Sequence, residues 1–345
     1  MQRELAYPGP LLNADGTLAQ VGWARQPILD CNLENSAFYS GWRRAFQRFR
    51  LKKWDYYAVF TPQRFFSATV ASLGYAANVF VYTLDYRTGE LYEQGLILPD
   101  WTVHLPRNST SGETIYKSKQ AQLRFNVEQG QHRVLVDWPA FHNGRGIRMD
   151  LSLLCRPDHE SMNIVIPIAD RRFYYNRKIN CLPAEGLIHY GDLRLAIDPR
   201  ESLASLDWGR GVWAYKSFWN WASASGFLPD KRTIGLNMGG GFGDTSAATE
   251  DAIILEGKVH KLDSILITYD HSDYMKPWRF VDSQGRLDLT FVPFKERVAR
   301  SNLGIIFSEV HQMFGRYTGA VITDEGEEIP IDGLTGFAEE HHARW

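Results

Sequence analysis

Short runs rich in β-branched and aromatic residues recur along most of the chain. Each is cut by a turn signal before a helix could grow. "DYYAVF", "FFSATVASL", "NVFVYTLDY", "AQLRFNV", "RVLVDW", "IRMDLSLLC" and "MNIVIPI" follow one another, broken by "DYRTGE", "NGRG" and "RPDHES". A second series runs through "TIGLNMG", "DAIILEG", "SILITYD", "RLDLTFVPF", "NLGIIFSEV" and "YTGAVIT" to the C-terminus. Strands this short and frequent, without intervening helices, predict an all-β protein of two antiparallel barrels or curved sheets. The strong helical candidate covers 35–52, after an extended lead. At 345 residues the chain exceeds one ordinary domain, so two β domains are expected, 1–200 and 201–345.

Charge excludes more than it suggests. With 38 basic and 40 acidic residues there is no dominant sign, and no nucleic-acid partner is expected. The densest basic stretch, "WRRAFQRFRLKKW" (42–54), reads as a solvated helix face whose long side chains snorkel over aromatic neighbours, with phosphate contact as the alternative. No apolar run reaches about 18 residues. The start, "MQRELAYPGPLL", lacks the order of a secretory leader. A cytoplasmic protein without stable membrane insertion is expected, its oligomeric state open. Cys31, Cys155 and Cys181 are odd in number and lack CxxC spacing, so buried thiols are expected rather than disulfides or a zinc site.

"NMGGGFGDTSAATED" (237–251) has neither a GK[ST] nor the last glycine of a dinucleotide fingerprint, and it joins two β-rich runs. It reads as a turn whose glycines let the backbone approach another segment. HExxH and G-x-S-x-G motifs are missing as well. Neither a cofactor nor a metal is predicted.

The chemistry concentrates in "SLDWGRGVWAYKSFWNWASASGF" (205–227), which holds four of the 11 tryptophans. Asp207 and Arg210 are close enough in sequence to form a charge pair, and Gly209 and Gly211 permit a bend between the aromatics. Such a clasp with a tryptophan core competes with a desolvated acid whose pKa is pushed up by burial and pulled down by the arginine. Strand alternation places Trp213, Tyr215, Trp219 and Trp221 along one surface, and indole faces stabilise a developing cation. In "GFAEEHHARW", Glu340, His342 and Arg344 share one strand face and Glu339, His341 and Trp345 the other. Glu340 and His342 form a candidate acid/base pair. Glu250, Asn237 and, in "YDHSDYMKPWRF", Asp270, His271, Asp273 and Trp278 complete the candidates.

The blocks "GWARQPI", "LKKWDYYAVFT", "LDWGRGVWAYKSFWNWAS", "GLNMGGGFGDTSAATEDAIILEGKVHKL", "PWRF…GRLDLTFVPF" and "GFAEEHHARW" resemble an uncharacterised bacterial family of the DUF2804 type. That family is similar to the two-domain lipocalin-like group of carotenoid hydratases, AttH-like proteins and fungal Diels–Alderases. The resemblance implies two calycin-type barrels, a cavity near their interface and no cofactor. Asp207-Trp208-Gly209 resembles the segment that opens the second domain in the hydratases, although their histidine is missing and Arg210 is added.

The expected function is a cofactor-independent enzyme acting on a hydrophobic, terpenoid- or lipid-like molecule by acid-assisted hydration, isomerisation or cyclisation. Asp207, Glu340 and His342 are its expected catalytic residues. Trp208, Arg210, Trp213, Tyr215, Trp219, Trp221, Asn237, Glu250 and Trp278 are its expected substrate-binding residues. A non-catalytic binder of hydrophobic ligands and a carbohydrate-active protein with tryptophan platforms and paired carboxylates are the alternatives.

Overall fold

The computed structural model describes residues 2–7, 9–302, 304 and 306–344. Strand accounts for 60% and helix for 6%, in two curled antiparallel sheets that form half-barrels. The strands that matter for the site are labelled in chain order. In the first sheet they are β1 (Leu51–Phe60), β2 (Arg64–Ser72), β3 (Ala76–Asp85), β4 (Leu91–Pro99), β5 (Arg172–Tyr190) and β6 (Leu203–Val212). In the second they are β7 (Lys216–Phe227), β8 (Thr233–Gly240), β9 (Ala252–Leu255), β10 (Leu287–Asn302), β11 (Phe307–Ile322) and β12 (Glu328–Arg344).

Among the described residues the first sheet has 14 strands and runs β4-β3-β2-β1-β6-β5 before continuing through the strands of residues 103–154. The second has nine, with β9-β8-β7-β12-β11-β10 at its centre. The chain passes from one sheet to the other between Val212 and Lys216, so 203–212 belongs to the first sheet.

Alternation explains why these strands carry two cores rather than one. On β1, Tyr57 and Val59 enter the core of the first half-barrel, whereas Tyr56, Ala58 and Phe60 face the second sheet. On β5, Tyr175 and Ile179 face the same barrel core, and Tyr174 faces the inter-sheet side. Strand β6 is buried along its whole length, as a strand covered on both faces must be. Between the sheets Phe60, Phe65, Phe314, Phe337, Tyr82 and Trp221 form an aromatic seam. A separate core fills the second half-barrel around Trp278, Phe280, Phe291 and Tyr317.

A bulge joins the sheets by hydrogen bonds. The pairing of β5 with β6 slips between Ile179 and Leu182, where Cys181 takes φ +61°. There the Asn180 side-chain amide donates to Ser223 Oγ and Ala224 O, both at 3.0 Å, and Cys181 N donates to Ser225 Oγ at 3.0 Å. All three cysteines are free and buried. Burial pushes the Cys31 and Cys181 thiols up to about 12.

The helix expected over 35–52 is shorter and of a different type: a 3-10 helix over Gly41–Arg50, with β1 beginning at Leu51. Pairing of Leu51–Lys53 with Gly211, Val212 and Ser72 draws its last residues into the sheet. Gly209 does not bend the chain inward. It lies in extended β6, where an added Cβ would sit 2.1 Å from the Trp54 ring. Gly209→Ala is expected to cost at least about 2 kcal/mol through this overpacking, measured by urea denaturation.

Candidate functional site

A cavity of about 250 Å³ lies between the two sheets. Ala71, Leu73, Ala76, Ala77, Phe80, Ile97 and Val310 give it an apolar wall, and Trp54, Trp213, Trp219, Trp221, Tyr174 and Phe242 an aromatic one. The polar groups that line it include Lys178, Asp207, Glu250, Arg297, Gln312, Glu339 and His341.

The register sets the first polar row. Lys178 of β5 pairs with Asp207 of β6, and Asp207 with Tyr56 of β1, so the three side chains share the cavity face. Lys178 Nζ is 2.8 Å from Asp207 Oδ2, 3.8 Å from Glu250 Oε2 and 3.7 Å from the centre of the Trp221 ring. Asp207 Oδ1 also accepts from Trp54 Nε1 at 2.9 Å and Asn176 Nδ2 at 2.6 Å. Its lone pairs are therefore committed to donors, one of them cationic.

Glu250 differs. It is buried, and its Oε2 has no hydrogen-bond partner among the described residues. Burial pushes its carboxyl up to about 7; Lys178 opposes this, while the charges of Asp207, Asp251 and Glu339 add to it. Gly239 makes room for it, because a Cβ there would lie 1.9 Å from Glu250 Oε1. Behind it, Asn237 Nδ2 donates to Glu250 O at 2.7 Å while its Oδ1 accepts from Trp221 Nε1 at 2.9 Å.

A second acid comes from β12. Glu339 accepts from Trp219 Nε1 at 3.3 Å and from Gln312 Nε2 at 3.1 Å, and burial raises it to about 7 against the pull of Arg297. Arg297 is itself neutralised by Glu93 at 2.7 Å. His341 lines the same wall, its ring tilted against Trp219 at 4.0 Å and hydrogen-bonded to Ser308 Oγ at 2.9 Å. Burial lowers its imidazole to about 3.

The sequence-predicted residues divide into three groups. Asp207, Trp213, Trp219, Trp221 and Glu250 meet in the cavity, with Asn237 directly behind. Trp208 and Arg210 lie on the opposite face of β6. The Asp207–Arg210 clasp, one of the two readings of that stretch, does not form, because an offset of three along a strand sends side chains to opposite sides. Arg210 pairs instead with Asp55 at 2.9 Å and lies 3.5 Å above the Trp208 ring.

Glu340 and His342 also face away from the cavity. Glu340 is bound by the Tyr269 hydroxyl, by Tyr274 Oη at 2.6 Å and by His342 Nε2 at 2.7 Å. Burial alone would raise its carboxyl, but these donors outweigh it and hold it at about 2, too low to donate a proton at neutral pH. His271 joins them at 3.1 Å, while Asp270 pairs with Lys276 at 2.6 Å on the exposed loop that also carries Asp273. Trp278 stacks on Tyr269 at 3.8 Å within the second barrel's core, and Tyr215 is exposed. Trp345 lies outside the described residues.

Lys178, Tyr174, Trp54 and Arg297 escaped the sequence reading, which has no signal for which face of a strand meets a neighbouring sheet. Glu339 and His341 share a strand face, as alternation predicts, and that face is the one that meets the cavity. Among the described residues, no three His, Cys, Asp or Glu side chains are placed to hold a metal ion, and no helix is long and apolar enough to cross a membrane.

In sequence, residues 2–345 match the family described as a domain of unknown function, DUF2804. No curated protein matches the chain in sequence. In structure it is similar to CghA, solved with Sch210972, at 11% identity and a TM-score of 0.54 over 85% of this chain and 88% of that one. Kievitone hydratase from Nectria haematococca matches at 12% identity over 85% of this chain and 88% of that one, with a TM-score of 0.49. An AttH protein from Nitrosomonas europaea matches at 12% identity over 88% and 97%, with a TM-score of 0.48. The likeness to CghA establishes a lipocalin-like fold.

Proposed function

From the premise that the chain belongs to the DUF2804 family over residues 2–345, we propose a cofactor-independent enzyme that converts a hydrophobic small molecule by proton transfer in the inter-sheet cavity. The observation that carries this reading is Glu250: a buried carboxyl with an oxygen that accepts no hydrogen bond among the described residues, in a tryptophan-walled cavity with a large apolar wall. That CghA, of the same fold, was solved with Sch210972 supports a small organic ligand.

In this reading Glu250 gives its proton to a carbon or oxygen of the substrate. The cation that develops faces Trp213, Trp219 and Trp221, whose rings each contribute about 0.5–2 kcal/mol. Water held by Glu339 then adds to it and gives that carboxylate a proton (hydration), Glu339 takes a proton from a neighbouring carbon (isomerisation), or an internal double bond closes a ring and Glu339 takes a proton beside the carbon left cationic (cyclisation). Asp207 is the counter-ion of Lys178 rather than the donor. The two domains are proposed to meet between 212 and 216, where the chain changes sheets, rather than at 200.

The apolar wall favours this over a sugar site, which would need hydrogen-bonding groups throughout. The test is organic extraction and mass spectrometry of the purified protein and of its Glu250→Gln variant. An apolar compound is expected in both, with the variant enriched in a partner that is isobaric or differs by one water. The same compound in the same form in both would leave a binding protein. A glycan would overturn the reading.

A further inference from the structure

The cavity opens beside a patch that proton transfer does not use. Over Gly41–Arg50 the chain carries Arg43, Arg44, Arg48 and Arg50 and no carboxylate. On the same ten residues Trp42 is 76% and Phe46 50% exposed, and Phe49 is exposed too. The rings form one surface: Trp42 meets Phe46 edge-on at 6.0 Å, and Phe46 stacks towards Phe49 at 6.5 Å. Arg43 lies 5.6 Å from the Trp42 ring and Arg48 4.8 Å from the Phe49 ring, so cations and rings alternate.

This patch is fixed to the cavity rim. Its one buried side chain, Gln47, donates to Glu34 O at 3.4 Å, and the Arg48 carbonyl packs so closely on Gly74 that a Cβ there would sit 2.4 Å away. The turn around Gly74 carries Leu73 and Tyr75 into the cavity wall. Asp100 braces the same turn, accepting from Ser72 Oγ at 2.7 Å and Gly74 N at 3.2 Å, and the next residue, Trp101, is 85% exposed. Ile97, exposed on β4, lines the cavity itself.

A merely solvated cationic face would not turn two indoles and two phenyl rings to water. Rings that insert at the boundary of headgroups and acyl chains, with arginines at the level of the phosphates, are the chemistry of an interfacial anchor. We propose that this surface docks the protein on an anionic lipid bilayer. Trp42, Phe46, Phe49 and Trp101 enter the interface and the exposed Arg43, Arg44 and Arg48 meet lipid phosphates, while Arg50 lies over the Phe38 ring. With the apolar-ligand reading above, on which this clause rests, docking sets the cavity mouth against the bilayer, so a ligand passes between them without crossing water.

The test is flotation with vesicles of phosphatidylcholine alone and of phosphatidylcholine with about 30% phosphatidylglycerol. The protein is expected to float with the anionic vesicles only and to be released in ~0.5 M salt. Arg43→Gln and Arg44→Gln should each weaken binding about fivefold. Trp42→Ser with Phe46→Ser should weaken it at least about tenfold. These side chains are exposed, so melting temperatures should not change. The Glu250→Gln variant should float like the parent, which separates docking from catalysis. The proposal is overturned if anionic vesicles do not bind or if the variants bind as the parent does. It is also overturned if the same substitutions instead split a dimer on gel filtration, or if they abolish single-stranded DNA binding in a protein that ignores vesicles.

Discussion

Asp207→Asn is expected to destabilise the protein by about 3–5 kcal/mol at pH 5.5, because it leaves the Lys178 ammonium buried without its partner 2.8 Å away. The loss should shrink at pH 8.5. At the lower pH Glu250 is protonated and cannot replace the lost charge; above its value of about 7 it ionises, 3.8 Å from the same ammonium. The sign follows from linkage. A carboxyl raised in the folded state takes stability away as pH climbs from its unfolded value towards its folded one. Removing the Asp207 charge, which helps to raise Glu250, and freeing Lys178 to attract it both lower the folded value and lessen that loss. Urea denaturation of both proteins at both pH values measures the gap. A gap that is constant or wider at high pH would show that Glu250 and Lys178 are not coupled.

The second large effect is expected in chemistry rather than in folding. Glu250→Gln keeps size and packing but removes the proton, so turnover of the compound identified by extraction should fall by about 10²-fold or more, the scale of a lost general acid. The parent rate should itself decline as pH rises through about 7, as the acid is lost. Stability should instead favour the variant. Between about pH 4.5 and 7 the parent loses the contribution of its protonated carboxyl and the variant does not, so the variant gains on the parent as pH rises. A variant with normal turnover would transfer the role to Glu339, where the same substitution is the next measurement.

The period-two pattern was enough to read the strands, because alternation is a local property and turn residues mark its limits. It was also enough to divide β12 into Glu339 with His341 and Glu340 with His342, and to set Trp219 and Trp221 opposite Asn220, which reaches Tyr269 at 3.0 Å. Which face meets the other sheet depends on the direction in which the sheet curls, and no single strand records that. The Asp207–Arg210 pair is absent for a related reason: closeness along the chain is not closeness in space, and the partners come from β5 and β1. Lys178 sits in "YYNRKIN", a run that resembles any buried strand until pairing sets it beside Asp207. The 42–54 stretch was legible as basic and aromatic, but its place at the cavity rim was not.

Strand β1 has its main partner far away along the chain: Trp54 and Asp207, joined by a hydrogen bond across β1 and β6, are 153 positions apart. During synthesis one edge of β1 therefore waits, its backbone groups unpaired, while the whole of residues 103–190 is made. Closure of the first sheet pays a large loop entropy before β6 arrives, which predicts slow folding with a populated intermediate open at that edge. Deleting the last half-barrel would remove the cover from Tyr56 and Phe60 without relieving this wait, so such a truncated chain should aggregate rather than fold.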